Sequence, residues 1–90
     1  PSTKLQNYYT DATGQFFSGI WESSPGKWQV NYGEEEFCAI LAGRVILTDS
    51  EGEAQSFKSG DAFIIPKGFT GTWETLEAVK KWYVIFEAKA

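Results

Sequence analysis

Short runs of β-branched and aromatic residues alternate with turn-forming residues along almost the whole of this chain. The turn formers are Gly, Pro, Asp and Ser, which preset turn dihedrals or permit a positive φ. They divide the chain into about seven predicted strands: 14–22, 27–32, 36–48, 54–58, 62–65, 72–76 and 80–88. No segment keeps a helical spacing of apolar residues. An all-β sandwich or barrel is therefore expected.

The length of 90 residues allows one small domain. A chain of this size buries roughly 60–65% of the surface that it exposes when unfolded, so its core is modest. Four Trp, four Tyr and seven Phe offset this, because aromatic side chains bury a large area each. The single cysteine, Cys38, cannot form an internal disulfide. Its apolar neighbours favour a buried small hydrophobe over a reactive thiol.

The charge pattern argues against two classes of partner. The net charge is −4, and the eight basic residues are spread along the chain without a basic stripe, so nucleic-acid binding is not expected. No apolar run approaches the ~20 residues that span a bilayer, so no membrane partner is expected either. With no disulfide framework, a cytoplasmic location is the default expectation.

Several short motifs occur in a fixed order. Glu36 precedes Gly43 by seven positions, and Gly60-Asp61 is followed by Pro66-Lys67-Gly68. The order is completed by Gly19-Ile20-Trp21-Glu22, Pro25-Gly26-Lys27-Trp28, Gly71-Thr72-Trp73-Glu74, Lys81 and Tyr83. Together these residues resemble the two signatures of the cupin superfamily. More specifically, they resemble small single-domain cupins related to the ethanolamine-utilisation protein and to (S)-ureidoglycine aminohydrolase.

The resemblance implies a small antiparallel jelly-roll β-barrel of the cupin type. It covers most of the chain, from about residue 14 to residue 87. We expect a single domain over 1–90, with the barrel at about 14–88 and an N-terminal extension at 1–13. The resemblance also implies a homodimer, with Phe16, Phe17, Ile20 and Trp21 as candidate interface residues.

In cupins the two signatures bring metal-binding histidines into a central pocket, but this chain contains no histidine. Aligned on Glu36, the first two positions fall on Val30 and Tyr32, or on Gln29 and Asn31 if the spacing is one residue longer. The third falls on Gly71. One carboxylate and weak amide oxygens cannot hold a transition metal against water. We therefore expect no bound metal and no cofactor, and more room near Trp73 where the third histidine is missing.

The acidic run at 34–36 is expected to form a solvated turn with only Glu36 directed inward. A carboxylate among aromatic side chains is costly unless it is paired or protonated. Lys81 or a buried hydroxyl could stabilise it. Glu36 is thus either a general acid/base, which makes it the one candidate catalytic residue, or a structural hydrogen-bonding group.

The strand at 27–32 has two faces, with Trp28, Val30 and Tyr32 on one and two amides on the other. Hydrophobicity favours the first face as the inner one. The aromatic side chains either fill the barrel or line a cleft with a few polar groups. The candidate ligand-binding residues are Tyr32, Glu36, Cys38, Trp73 and Tyr83.

Three functions follow from this interpretation. The favoured one is a metal-independent module that binds an unknown small molecule, in a sensory role or accessory to catabolism. The second is an enzyme that acts on a small nitrogen-containing metabolite, with Glu36 as acid/base and Tyr32 or Tyr83 orienting the substrate. The third is a structural or interaction domain whose pocket is filled by its own side chains.

Overall fold

A computed structural model describes residues 2–89, and all regular elements in that range are β-strands. The strands are β1 (Thr3–Thr10), β2 (Phe16–Ser23), β3 (Gly26–Asn31), β4 (Glu35–Asp49), β5 (Ala54–Lys58), β6 (Ala62–Ile65) and β7 (Thr70–Phe86). The all-β prediction is confirmed. Residues 2–89 contain no helix that is long and apolar enough to cross a bilayer.

Two elements differ from the sequence expectation. The segment 1–13, assigned to an N-terminal extension, contains β1, which pairs antiparallel with β2. Every residue of β1 is exposed. Because neither face of this strand is buried, its sequence lacks the alternation of apolar and polar residues that predicts a strand. The predicted strands 72–76 and 80–88 form one continuous strand, β7. Pairing with β4 continues through the segment that joins them, at Glu77 and Lys80.

The two longest strands, β4 and β7, organise the sheet. Across the sheet, neighbouring strands follow the order β1-β2-β7-β4-β5. In addition, β3 pairs with β7 and β6 pairs with β4. The first half of β7 pairs with β3 and with the second half of β4. The second half of β7 pairs with β2 and with the first half of β4. Each long strand therefore belongs to both halves of the molecule.

The core shows that these two halves face each other. Cys38 and Ile40 come from the first half of β4, and Val45 and Leu47 come from its second half, yet all four lie in one buried cluster. The cluster also contains Ile65, Trp73 and Val79. Residues from both halves can share a cluster only if the sheet folds over onto itself. This is the expected antiparallel jelly-roll barrel.

The fold-over occurs where the β4–β7 register shifts, between Ile40 and Val45. Gly43 lies there with φ 89°, a conformation that favours glycine. A Cβ atom on Gly43 would lie 2.2 Å from the carbonyl oxygen of Ala78 on β7. The two strands therefore approach closely at the bend because residue 43 has no side chain. The glycine of the first motif is a structural requirement.

The predicted hairpin between β4 and β5 is also present. The Asp49 carboxylate accepts hydrogen bonds from the backbone N–H groups of Glu51 and Glu53, both at 2.9 Å. Gly52 completes the turn with φ 84°. Asp and Gly supply the local bonds and the positive φ that a tight turn needs, which fixes the pairing of Arg44 with Lys58.

We predict that Gly43→Ala destabilises the protein much more than Gly52→Ala. Both glycines have a positive φ, so each substitution incurs the ~1–2 kcal/mol cost of a left-handed alanine. Gly52 has open space around its Cα, whereas Gly43 faces Ala78, which adds a further ~1–3 kcal/mol for overpacking. Urea unfolding monitored by circular dichroism measures both free energies. Equal losses in the two variants would contradict the close approach at the bend.

Candidate functional site

A cavity of about 420 Å³ lies at the inner side of the folded sheet. Four strands contribute most of its wall, and β1 closes one side with Thr3 and Leu5. The other lining residues are Trp21, Trp28, Gln29, Val30, Asn31, Tyr32, Glu34, Glu36, Trp73, Lys81, Tyr83 and Ile85. The surface that remains exposed in it is mainly apolar, with a few carboxylate, amide, hydroxyl and ammonium groups.

Four of the five candidate ligand-binding residues lie around this cavity: Tyr32, Glu36, Trp73 and Tyr83. Cys38 does not line it. Its side chain is fully buried, and its thiol donates a hydrogen bond to the Glu36 carboxylate at 3.1 Å. Burial raises the pKa of the Cys38 thiol, so the group stays protonated at neutral pH. Its place in the structure is behind Glu36, as a partner of the carboxylate.

Strand alternation places the aromatic face of β3 inward, as hydrophobicity predicted. Trp28, Val30 and Tyr32 are half-buried and pack against the core cluster. Gln29 and Asn31 are exposed, although both reach the rim of the cavity. This orientation corresponds to the shorter of the two motif spacings. It gives the cavity one wall of aromatic and apolar side chains with an amide rim.

A buried ion pair connects β4 and β7 at the cavity. The Lys81 ammonium donates a hydrogen bond to Glu36 Oε2 at 2.6 Å, and the two side chains are only 7% and 5% exposed. Glu36 is directed inward, as expected, but the expectation that it alone of the acidic run would be inward is wrong, because the half-buried Glu34 lines the cavity as well. Two charges can be buried this deeply because each is the other's partner and because the thiol of Cys38 adds a further hydrogen bond.

Two tryptophan rings enclose the ammonium of this pair. The Nζ atom of Lys81 lies 4.5 Å from the ring centroid of Trp73 and 5.0 Å from that of Trp21. The two rings pack edge to face with their centroids 5.5 Å apart. Attraction to the ring faces stabilises a cation that has lost most of its water. Lys81 is therefore fixed on one side by a carboxylate and on the others by indole rings.

Burial, and after it negative charge, raises the pKa of three other groups that line the cavity. Burial raises the pKa of the Tyr32 hydroxyl above its ordinary value, and the charge of Glu36 raises it further. Partial burial also raises the pKa of Glu34, and Glu87 and Glu36 add to this shift. The Tyr83 pKa rises mainly through burial. Both phenols thus stay neutral at physiological pH.

Tyr83 also attaches β1 to the rest of the barrel. Its hydroxyl donates a hydrogen bond to Asn7 Oδ1 at 2.7 Å. Asn7 belongs to the N-terminal strand that sequence reasoning did not predict, and Leu5 of the same strand lines the cavity. The Tyr83 hydroxyl is therefore engaged in holding a wall in place.

Gly71 differs from expectation. The absence of a side chain there was expected to leave room near Trp73, but Gly71 lies between β3 and β4, opposite Val30 and Asp49. A Cβ atom on Gly71 would lie 1.9 Å from the carbonyl oxygen of Thr48. The neighbouring backbone occupies the position that a side chain would take. Gly71 is not part of the cavity wall, although Trp73 is, together with Trp21 and Trp28.

The residues around the cavity do not fit a transition-metal site. Histidine is absent from the chain, and no three His, Cys, Asp or Glu side chains cluster suitably within residues 2–89. The motif carboxylate, Glu36, already accepts hydrogen bonds from Lys81 and Cys38 on the same oxygen. An ion at that place would need several strong donors and would meet an ammonium group instead.

Sequence reasoning missed part of the site for identifiable reasons. Trp28 was expected on the inner face and Lys81 as a possible partner of Glu36, but neither was among the candidate ligand-binding residues. Trp28 shares a face with Val30, and Lys81 shares one with Tyr83, so alternation along β3 and β7 could have added both. Trp21 shows no such signal, because β2 is partly buried on both faces. Thr3 and Leu5 could not be found without knowing that β1 is a strand.

Comparisons with known proteins agree with this architecture. A family model described as the EutQ-like cupin domain matches residues 10–83. A search of curated proteins found no match.

Solved structures are similar over nearly the whole chain. An ethanolamine utilization protein Q from Salmonella typhimurium is 24% identical with a TM-score of 0.85, over 97% of this chain and 71% of that one. The EutQ protein of Clostridium difficile is 18% identical with the same TM-score, over 97% of this chain and 64% of that one. A DUF861 family protein from Thermotoga maritima is 26% identical with a TM-score of 0.74, over 92% of this chain and 100% of that one.

We predict strong energetic coupling between Glu36 and Lys81. Each single variant, Glu36→Gln or Lys81→Met, leaves one buried charge without its partner and is expected to cost ~3–5 kcal/mol of unfolding free energy. The double variant removes both charges, so its loss is expected to be smaller than the sum by ~2 kcal/mol or more. Denaturant unfolding of all four proteins measures the cycle.

The matched control is the surface pair of Arg44 and Glu77. These groups lie 3.8 Å apart with side chains 49% and 68% exposed. Solvent screening keeps the coupling in such pairs below ~1 kcal/mol. A Glu36–Lys81 coupling no larger than that of the control would contradict the buried pair.

Proposed function

This chain belongs to the EutQ-like cupin domain family, and from that premise we propose that its barrel binds a small molecule without a transition metal. The observation that carries the proposal is the cavity of about 420 Å³. Binding sites for small molecules are concave, mostly apolar and of about 300–1,000 Å³, with a few placed polar groups. The aromatic wall with Glu36, Lys81 and Tyr32 fits that description.

The geometry ranks binding ahead of acid/base catalysis. The Glu36 side chain is only 5% exposed, and its Oε2 atom accepts hydrogen bonds from both Lys81 and Cys38. A general base must come within hydrogen-bond reach of the proton that it takes, so a buried and ion-paired carboxylate suits a fixed structural charge better. The cavity volume likewise weighs against a pocket filled by its own side chains.

The biological setting that we propose follows the family. It is a sensory role, or one accessory to the breakdown of a small metabolite. The second is supported by two of the similar structures, which are named as ethanolamine utilization protein Q and EutQ. We also propose a cytoplasmic location. The only cysteine is a buried free thiol, a state that a reducing compartment preserves.

We further propose that two copies associate through the outer apolar face. This name denotes the exposed side chains of Phe16, Phe37, Ile64, Trp82 and Phe86 on the outside of β2, β7, β4 and β6. Phe16 lies opposite Phe86, and Phe37 lies opposite Ile64, so the strand register makes the face continuous. A continuous exposed apolar patch on a sheet is typical of an association surface.

A second copy fits the charge distribution of this face. Its charged residues stand at the ends: Glu22 opposite Lys80 at one end, and Glu35 opposite Phe86 at the other. An apolar centre with a polar rim, repeated by a two-fold axis, forms a self-complementary interface. Of the four residues expected at an interface, Ile20 and Phe16 lie on this outer side. Trp21 lines the cavity, and alternation places Phe17 on the same inner side.

Fragment screening by nuclear magnetic resonance tests the binding proposal. Trp21, Trp28 and Trp73 line the cavity, whereas Trp82 lies outside with its Nε1 donating to Ser18 at 2.8 Å. Fragments that bind in the cavity are expected to shift the indole signals of the first three and to leave that of Trp82 unchanged.

A cavity-filling variant sharpens this test. Val30→Phe places a ring in the cavity wall and is expected to weaken fragment binding at least ~10-fold, since the volume is taken up. Leu76→Phe adds the same ring at an exposed position of β7 and should leave binding unchanged. Shifts that survive Val30→Phe, or a screen without cavity shifts, would contradict the proposed function.

For the second copy, we predict that Trp82→Glu converts the protein to a monomer. The substitution replaces a large apolar side chain of the outer apolar face with a carboxylate, which would lose its water when a second copy covers it. Tyr8→Glu is the control, because Tyr8 is also exposed (66%, against 51% for Trp82) but lies on β1. Sedimentation equilibrium measures the mass. A wild-type monomer at high micromolar concentration would contradict the proposal.

A further inference from the structure

We propose that the ligand of the cavity is a small organic ammonium ion, held over the rings of Trp28 and Tyr32 with Glu34 as its counter-ion. This inference rests on the proposed function, because it names the ligand class of the same cavity. Three features of the described residues support it: an internal ammonium in the same surroundings, the charge balance of the wall and the aromatic rings that carry no cation.

Lys81 is an internal example of the chemistry. Its ammonium lies 4.5 Å and 5.0 Å from two ring centroids and 2.6 Å from a carboxylate oxygen. Ring faces together with one carboxylate therefore stabilise an ammonium in this barrel. The rest of the wall contains the same kinds of group, with the rings of Trp28 and Tyr32 and the carboxylate of Glu34. No cation covers these two rings within residues 2–89.

The charge balance of the wall favours a cation. The lining contains two carboxylates, Glu34 and Glu36, and one ammonium, Lys81. Glu36 and Lys81 neutralise each other as an ion pair, so the negative charge of Glu34 is the net charge of the lining. Its pKa is raised, first by partial burial and then by the charges of Glu87 and Glu36. A positive ligand beside Glu34 would relieve this repulsion, whereas a negative one would increase it.

An anionic ligand fits the cavity less well. Its partner would have to be Lys81, whose side chain is 7% exposed, bonded to Glu36 and covered by two indole rings. Binding an anion there would require breaking the buried ion pair and leaving Glu36 without its partner. The ring faces would oppose it as well, since aromatic faces attract cations.

Three probes of nearly the same shape isolate the charge. Choline carries a positive charge, 3,3-dimethylbutan-1-ol replaces its nitrogen with carbon and is neutral, and 3,3-dimethylbutanoate carries a negative charge. Titrations followed by the indole signals of Trp21, Trp28 and Trp73 give the three Kd values. We expect choline to bind about 10-fold more tightly than the alcohol, and the carboxylate to bind more weakly than both.

Charge variants locate the counter-ion. Glu34→Gln is expected to weaken choline binding about fivefold and to leave the affinity for the neutral alcohol unchanged. Glu51→Gln removes the same charge from an exposed turn outside the cavity and should change neither Kd. Trp28→Leu should also reduce the preference for choline over the alcohol, because it removes an aromatic face.

The outcomes separate this inference from the proposed function. If the alcohol or the carboxylate binds as tightly as choline, the cation inference is overturned, and small-molecule binding stands. The same holds if none of the three probes binds while other fragments shift the cavity indole signals. An equal loss of choline binding in Glu34→Gln and Glu51→Gln overturns the role of Glu34. If no probe and no fragment binds, both proposals fail.

Discussion

The close approach of β4 and β7 at Gly43 is the constraint on which the other features of the structure depend. Both strands take part in both halves of the sheet, and the halves can face each other only because the two backbones nearly touch at this bend. The core cluster and the cavity lie inside the fold-over that results. A residue without a side chain, in a conformation that favours glycine, thus determines whether the barrel has an interior.

Within that interior, the ion pair of Glu36 and Lys81 distinguishes this site from the metal sites that are associated with its motifs. The acidic residue of the first motif is present, but its partner is an ammonium from β7, 2.6 Å away. A buried pair of this kind is weak evidence for added stability, because both groups lose their water. It does fix one cation in place, and the cavity surroundings are suited to positive charge.

The sequence was sufficient for the fold and for part of the site. Turn residues such as Asp49 and Gly52 act locally, so the β4–β5 hairpin could be read from the chain. Alternation along β3 correctly indicated the inner face. β1 could not be predicted, since it is a strand by its pairing with β2 and has no buried apolar face that would show as a periodic pattern. The surroundings of Gly71 were also beyond reach, because the obstructing carbonyl belongs to Thr48, distant in sequence.

The exposed strand β1 has a consequence for how molecules reach the interior. Among residues 2–89, it supplies Thr3 and Leu5 to the cavity wall but no residue to the core cluster, and one side-chain hydrogen bond, from Tyr83 to Asn7, connects it to β7. Edge strands with few buried contacts detach by local opening at far lower free energy than the whole domain unfolds. Local opening of β1 from β2 would therefore widen the cavity on the side of Thr3 and Leu5 while the core cluster stays packed.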